Sequence, residues 1–517
     1  MRSPQDDSQE AELRRAIAEL CCPAYAPGAE ADFFDTGSFF VFASESSAQR
    51  EVIARAKSAC SSEPLVTTDL EYGAGRMIHD ATQFPSLFAA GRADPRLAEE
   101  MGRIAAAEGR SVGFHWTLAP CVDPILDIHN PTTSYRSASR ATDDVIAIGR
   151  AYIRGLQSGG MMATAKHFPG DGACRYDQHL TTPENPLGLR EWRETYGRIY
   201  AAMITEGVAA IMPGHISLPA YDTPDPANGL CPPATLSPRL MKGLLRGDLG
   251  FDGLIVSDAV NMGGFCGFTN YYDACARFLE AGGDVLLFAR PTGVFLNEML
   301  KRVRSGLLSE SSIRESLRRF RKFKDRGFAA EGVPCASPLR LKSPTATAVA
   351  GKIITAGLQL LRDRQSWLPI RNPETKRILH VRIAVAHSGL NPVAAAFESA
   401  LRAVFASVEG LIDPGPDRLR SLLESGDFDA AIVSVLNDYG YGTNHIHLAG
   451  PVARNMMGGW MHLGKPVVFI SHAHPFLHWE YKASMNCVIR TCGTVEATIP
   501  RLIQIITQDG VEIIPDE

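Results

Sequence analysis

A chain of 517 residues with 45% hydrophobic and 21% charged side chains can bury a large core, and its length suits about two or three domains, or one large barrel with a companion. A formal charge of -5, with Lys and Arg dispersed among Asp and Glu, excludes a surface built for nucleic acid, and the composition excludes a disordered or fibrous chain. No stretch reaches the roughly 18 apolar residues of a membrane span, and the charged "MRSPQDDSQEAELRRAIAEL" lacks the apolar segment of a secretory signal, so a cytoplasmic location without membrane contact is expected.

In chain order, short β-branched or aromatic runs alternate with amphipathic, Ala-rich segments. The candidate strands are "SFFVFAS" (38–44), "PLVTTDLE" (64–71), "FHWTLAPCVD" (114–123), "MMATAKHF" (161–168), "AAIMPGHI" (209–216), "LIVSDAV" (254–260) and "DVLLFA" (284–289). Such βα alternation predicts a TIM-type (β/α)8 barrel over residues 1–330. Polar residues gather at the carboxyl ends of these strands, where a parallel barrel builds its active site, so Asp69, Glu71, Asp123, Lys166, His167, His215 and Asp258 are expected on one rim.

A helix is predicted over Ser312–Phe328, opened by a capping box at Ser312 to Glu315. Its basic run "RESLRRFRKFKDR" reads as a solvated helix face. The Pro- and Ala-rich stretch 331–348 reads as a linker, and apolar runs at "RILHVRIAVAH", "DAAIVSVLND" and "KPVVFISHAH" mark a smaller α/β domain over 349–517. The eleven cysteines show no C-x-x-C spacing, so free thiols are expected rather than disulfides or zinc. Two H-x-H pairs, His445/His447 and His472/His474, could set two imidazoles on one side of a strand. Neither has cysteines or a carboxylate cluster beside it, and no metal or organic cofactor is expected.

The densest chemistry lies in "KHFPGDGACRYDQH" (166–179), a glycine-broken loop with two histidines, two aspartates and a lysine. Buried unpaired, these charges would each cost several kcal/mol, so the loop is expected to face a polar cavity. With "AAIMPGHISLPAYD" and "ATLSPRLMKGLLRGDLGFDGLIVSDAVNMGG" it resembles glycoside hydrolase family 3, in particular its bacterial β-N-acetylglucosaminidase branch. The resemblance covers about Ser38 to Phe328, and "VAGKIITAGLQLLRDRQSWLPI" is similar to the start of the family's α/β sandwich domain.

The resemblance implies a retaining exo-β-glycosidase acting on a terminal β-linked N-acetylglucosamine of a small carbohydrate or glycoconjugate. Asp258 would be the nucleophile, His179 the acid/base and Asp177 the group that orients it. Asp69, Arg136, Lys166, His167 and His215 would bind the sugar. Where the family reads R-S-F-G-x-D, this chain has Arg136-Ser-Ala-Ser-Arg-Ala141. A β-glucosidase, a β-N-acetylglucosamine phosphorylase and a non-catalytic sugar-binding homologue stay open as alternatives, as does self-association.

Overall fold

The computed structural model describes residues 4–26, 28, 35–329, 341–384, 391–437, 448, 450–457, 464–493, 495–510 and 512–514. The amino-terminal part is built on eight short strands: β1 (Cys21–Cys22), β2 (Ser38–Phe40), β3 (Leu65–Thr68), β4 (Trp116–Thr117), β5 (Thr164–Phe168), β6 (Ala210–Pro213), β7 (Leu254–Ile255) and β8 (Leu286–Leu287). All pair in parallel: β1 with β8, β2 through β4, and β5 through β7. Single parallel bridges from Ala24 to Phe40, Trp116 to Met162 and Val256 to Val285 fill the remaining gaps and shut the barrel. Every residue of these strands is buried, because inward side chains fill the barrel and outward ones lie under the helix ring.

The helices carry their own start and stop signals. Helix Pro95–Val112 is capped by Asp94, whose carboxylate accepts the Arg96 amide, and it ends at Gly113 in the left-handed conformation. The strand missing from the sequence reading is β1. Two cysteines before Pro23 offer too short a run to separate from the end of helix Pro4–Glu19. The last barrel helix spans Glu310–Ala329, and its cap is Ser309, whose hydroxyl accepts the Ser312 amide. The expected capping box is therefore displaced, and Glu315 pairs instead with Arg319 at 2.7 Å.

Helix Pro344–Gly357 begins within the stretch read as linker, with Ser343 as cap and Pro344 in its first turn. Its Val349, Ala350 and Ile353 join the barrel's core cluster. Beyond it a six-stranded sheet has the order β11-β10-β12-β13-β14-β9, from β9 (Gln359–Asp363), β10 (Arg377–Ala384), β11 (Ser407–Ile412), β12 (Ala430–Asn437), β13 (Val467–Ala473) and β14 (Cys487–Arg490). Only β9 runs antiparallel to its neighbour. Ile378 and Ile432 face one apolar cluster, Leu379 and Val433 the other, so helices cover both faces as in an α/β sandwich.

The two parts share a packed junction. Phe88 meets Phe476 edge to face at 5.6 Å, Arg140 lies 4.6 Å over the Trp479 ring, and the Ser86 hydroxyl donates to the Cys492 carbonyl. Of the H-x-H pairs, His445/His447 lies outside the described residues. His472 and His474 do not converge: His472 Nε2 lies 3.2 Å from Ser434 Oγ, while His474 Nδ1 accepts the Phe476 amide. The described cysteines are free thiols, and no helix among the described residues is long and apolar enough to cross a membrane.

Candidate active site

The carboxyl ends of the barrel strands open onto a cleft of about 610 Å³, whose walls include Asp69, Glu71, Arg136, Lys166, His167, His179 and Asp258. Its described lining residues all come from the barrel. A larger cavity of about 1020 Å³ lies on the other flank of the 173–182 loop, beside Arg140 and Trp479. It holds neither Asp258 nor His179, which both line the smaller cleft.

Asp258 follows β7 and accepts the Ala259 amide at 2.8 Å. Burial opposes its charge, yet His167, His179 and Lys166 hold the carboxyl below the usual carboxylate range. An ionised carboxylate there can attack an electrophilic carbon. His179 comes from the loop after β5. Its Nδ1 donates to Asp177 at 2.6 Å, and Asp177 also accepts the His179 amide. With Nδ1–H fixed on a buried carboxylate, the proton that can be exchanged with a substrate is the one on Nε2.

The opposite wall is an ion network. Lys166 Nζ lies 3.0 Å from Asp69 and 2.7 Å from Glu71. Glu71 in turn receives Arg136 Nε at 2.9 Å and Nη2 at 2.7 Å, while Arg136 Nη1 donates to the Thr132 carbonyl. Burial favours the uncharged form of both Lys166 and Glu71. The opposite charges win, raising the Lys166 pKa and holding Glu71 well below its ordinary value. Asp69 is the more open carboxylate, at 35% exposure against 7% for Glu71. Glu71 was expected on the rim but not as the shared partner of two sugar-binding candidates. Its quoted segment "PLVTTDLE" carried the residue without showing the partners.

The loop is held by groups that do no chemistry of their own. Asp123 accepts the amides of His167 and Asp171 and the Nδ1–H of His167 at 2.8 Å. Asn130 donates to Asp171 and the Cys174 carbonyl, and its oxygen accepts from Thr132 and Thr133. Gly170 has φ 125°, and a Cβ at Gly172 would lie 1.8 Å from the Pro124 carbonyl oxygen. Of the predicted site residues, Asp177 and His215 are buried and do not line the cleft, and His215 stands behind the Asp258 turn. It is fully buried, with Nε2 donating to the Ala259 carbonyl at 3.0 Å and Nδ1 3.1 Å from Thr235 Oγ1. Burial pushes its pKa down to about 4, so it is a neutral strut under the Asp258 turn.

Among the described residues one cluster has metal-ligand types within 4.8 Å, namely Cys121, Asp123 and His167. Asp123 already accepts three N–H groups, and burial pushes the Cys121 thiol well up, so this donor set suits the loop anchor better than an ion.

The model of the glycosyl hydrolase family 3 N-terminal domain matches residues 35–322. A β-N-acetylglucosaminidase/β-glucosidase of Cellulomonas fimi is 28% identical over 85% of this chain and 80% of its own length. A β-hexosaminidase of Neisseria meningitidis serogroup C is 33% identical over 46% of this chain and 66% of its own. Among solved structures, the β-glucoside phosphorylase BglX superposes with a TM-score of 0.85 at 26% identity, over 98% of this chain and 94% of that one. A β-N-acetylglucosaminidase of Paenibacillus sp. FPU-7 superposes at 0.80 with 23% identity, over 96% of both chains.

Proposed function

The chain belongs to glycosyl hydrolase family 3, and on that premise we propose that it is a retaining exo-β-glycosidase releasing terminal β-linked N-acetylglucosamine from small glycoconjugates. The observation that carries this reading is the meeting of Asp258 with the Asp177–His179 pair in one cleft. In the first step Asp258 attacks the anomeric carbon and His179 Nε2 protonates the departing oxygen. In the second, His179 removes a proton from water as water cleaves the glycosyl ester and restores Asp258. Lys166, Asp69 and His167 would fix the sugar hydroxyls. The division of labour would put catalysis in 1–330, with 349–517 as a domain that buttresses it.

A panel of β-nitrophenyl glycosides, assayed with and without phosphate, tests this. The N-acetylglucosaminide should turn over fastest, and Asp258→Asn should keep the fold while losing all but about a tenth of the rate or less. Preference for the glucoside would overturn the sugar assignment. A folded Asp258→Asn variant with normal turnover would overturn the nucleophile. A second reading, phosphorolysis, draws on the likeness to the β-glucoside phosphorylase. A neutral histidine repels an incoming phosphate less than a carboxylate would. Glycosyl phosphate as the main product would establish it.

A further inference from the structure

At the amino-terminal end of the barrel, opposite the catalytic cleft, a cavity of about 590 Å³ lies between helix Glu310–Ala329 and the starts of β6 and β7. One wall carries Arg318, Lys322 and Arg326, all exposed. Spaced four residues apart, they stack along one helix face at about 6 Å intervals. None of the three has an ion-pair partner among the described residues, although their neighbours do: Arg314 pairs with Glu12, Arg319 with Asp284 and Arg321 with Glu19. The acidic groups at this cavity are Asp252 and Glu315, and Glu315 is engaged by Arg319.

The floor adds an independent sign. Arg246 is 16% exposed; its Nη1 donates to the Phe251 and Gly253 carbonyls, and its Nη2 to Asp284 at 2.9 Å. Its Nε is buried with no acceptor among the described residues. Phe251 and Phe323 supply apolar surface beside it. The geometry points to an anion site here, taking a small ligand with at least two phosphate groups. Its oxygens would meet the Arg318–Lys322–Arg326 ladder beside the Arg246 guanidinium. Two guanidinium forks and an ammonium on one face suit two adjacent phosphates better than one.

Calorimetric titration of the whole chain at 0.15 M salt with pyrophosphate, ADP and adenosine tests the assignment, in wild type and in Arg318→Ala/Lys322→Ala/Arg326→Ala. These side chains are exposed and remote from the cleft, so the triple variant should keep its unfolding midpoint and its glycosidase rate. One-to-one binding of pyrophosphate or ADP, weakened at least about tenfold in the variant with adenosine silent, is the expected result. Tighter binding of ADP assigns the site to an organic diphosphate using the Phe251–Phe323 wall, and equal binding to the inorganic anion. No binding, multiple weak equivalents, or affinity unchanged in the variant would overturn the site.

Discussion

His179 is the residue whose role is separable by chemistry alone. A nitrophenolate departs with little protonation and a sugar alkoxide does not, so His179→Ala should slow glycosylation far more on a disaccharide than on an aryl glycoside. Azide should then trap the β-glycosyl azide. Pre-steady-state rates on both substrates check this, and equal losses with no adduct would place the acid elsewhere. Glu71 offers a second test. Replacing it with Gln leaves Arg136 and Lys166 buried without their shared anion, and should lower stability by about 3 to 5 kcal/mol. Adding Arg136→Gln should recover part of that loss, since the two share one interaction. Urea midpoints of the two singles and the double measure it. That Asp258 and His179 share a cleft could be read beforehand because both sit inside quoted motifs. The Glu71 pairing could not, because its partners are 65 and 95 residues away and only the folded rim brings them together.

The loop of residues 166–179 depends on close contacts, such as that of Gly172 with the Pro124 carbonyl. In Gly172→Ala the new Cβ would press on the Pro124 carbonyl and shift the backbone that leads to Asp177 and His179. Disaccharide turnover should fall by about a hundredfold with the barrel still folded. Near-normal turnover would show that the loop has room to adjust. Local rules explain which elements could be read beforehand. Strands with apolar runs and polar ends declare themselves, whereas β1 follows helix Pro4–Glu19 almost directly and stops at Pro23. "KSPTATA" reads as a breaker, yet Ser-Pro is also a helix start, a cap followed by a proline that needs no partner for its missing N–H. Only packing on the barrel decides between the two.

The whole molecule should lose stability in mild acid through its buried histidines. Unfolded imidazoles take a proton near pH 6.5, but burial lowers His215 to about 4 and both His472 and His474 to about 3. A base that resists protonation only when folded contributes fully above pH 6.5. That contribution is lost as pH falls toward 4, by on the order of 3 kcal/mol for His215 alone. Midpoints from pH 7.5 to 4.5 should therefore decline, and His215→Gln, which can still donate to the Ala259 carbonyl, should decline less steeply. Parallel slopes would remove His215 as a source.

The pairing of β1 with β8 also sets a timetable for synthesis. The first strand of the ring ends at Cys22 and its partner at Leu287. At roughly 5 to 20 residues per second, a ribosome needs on the order of 10 to 50 s to make the stretch between them. Throughout that interval the nascent barrel has two open edges, which chaperones must shield or the unfinished chain must keep apart.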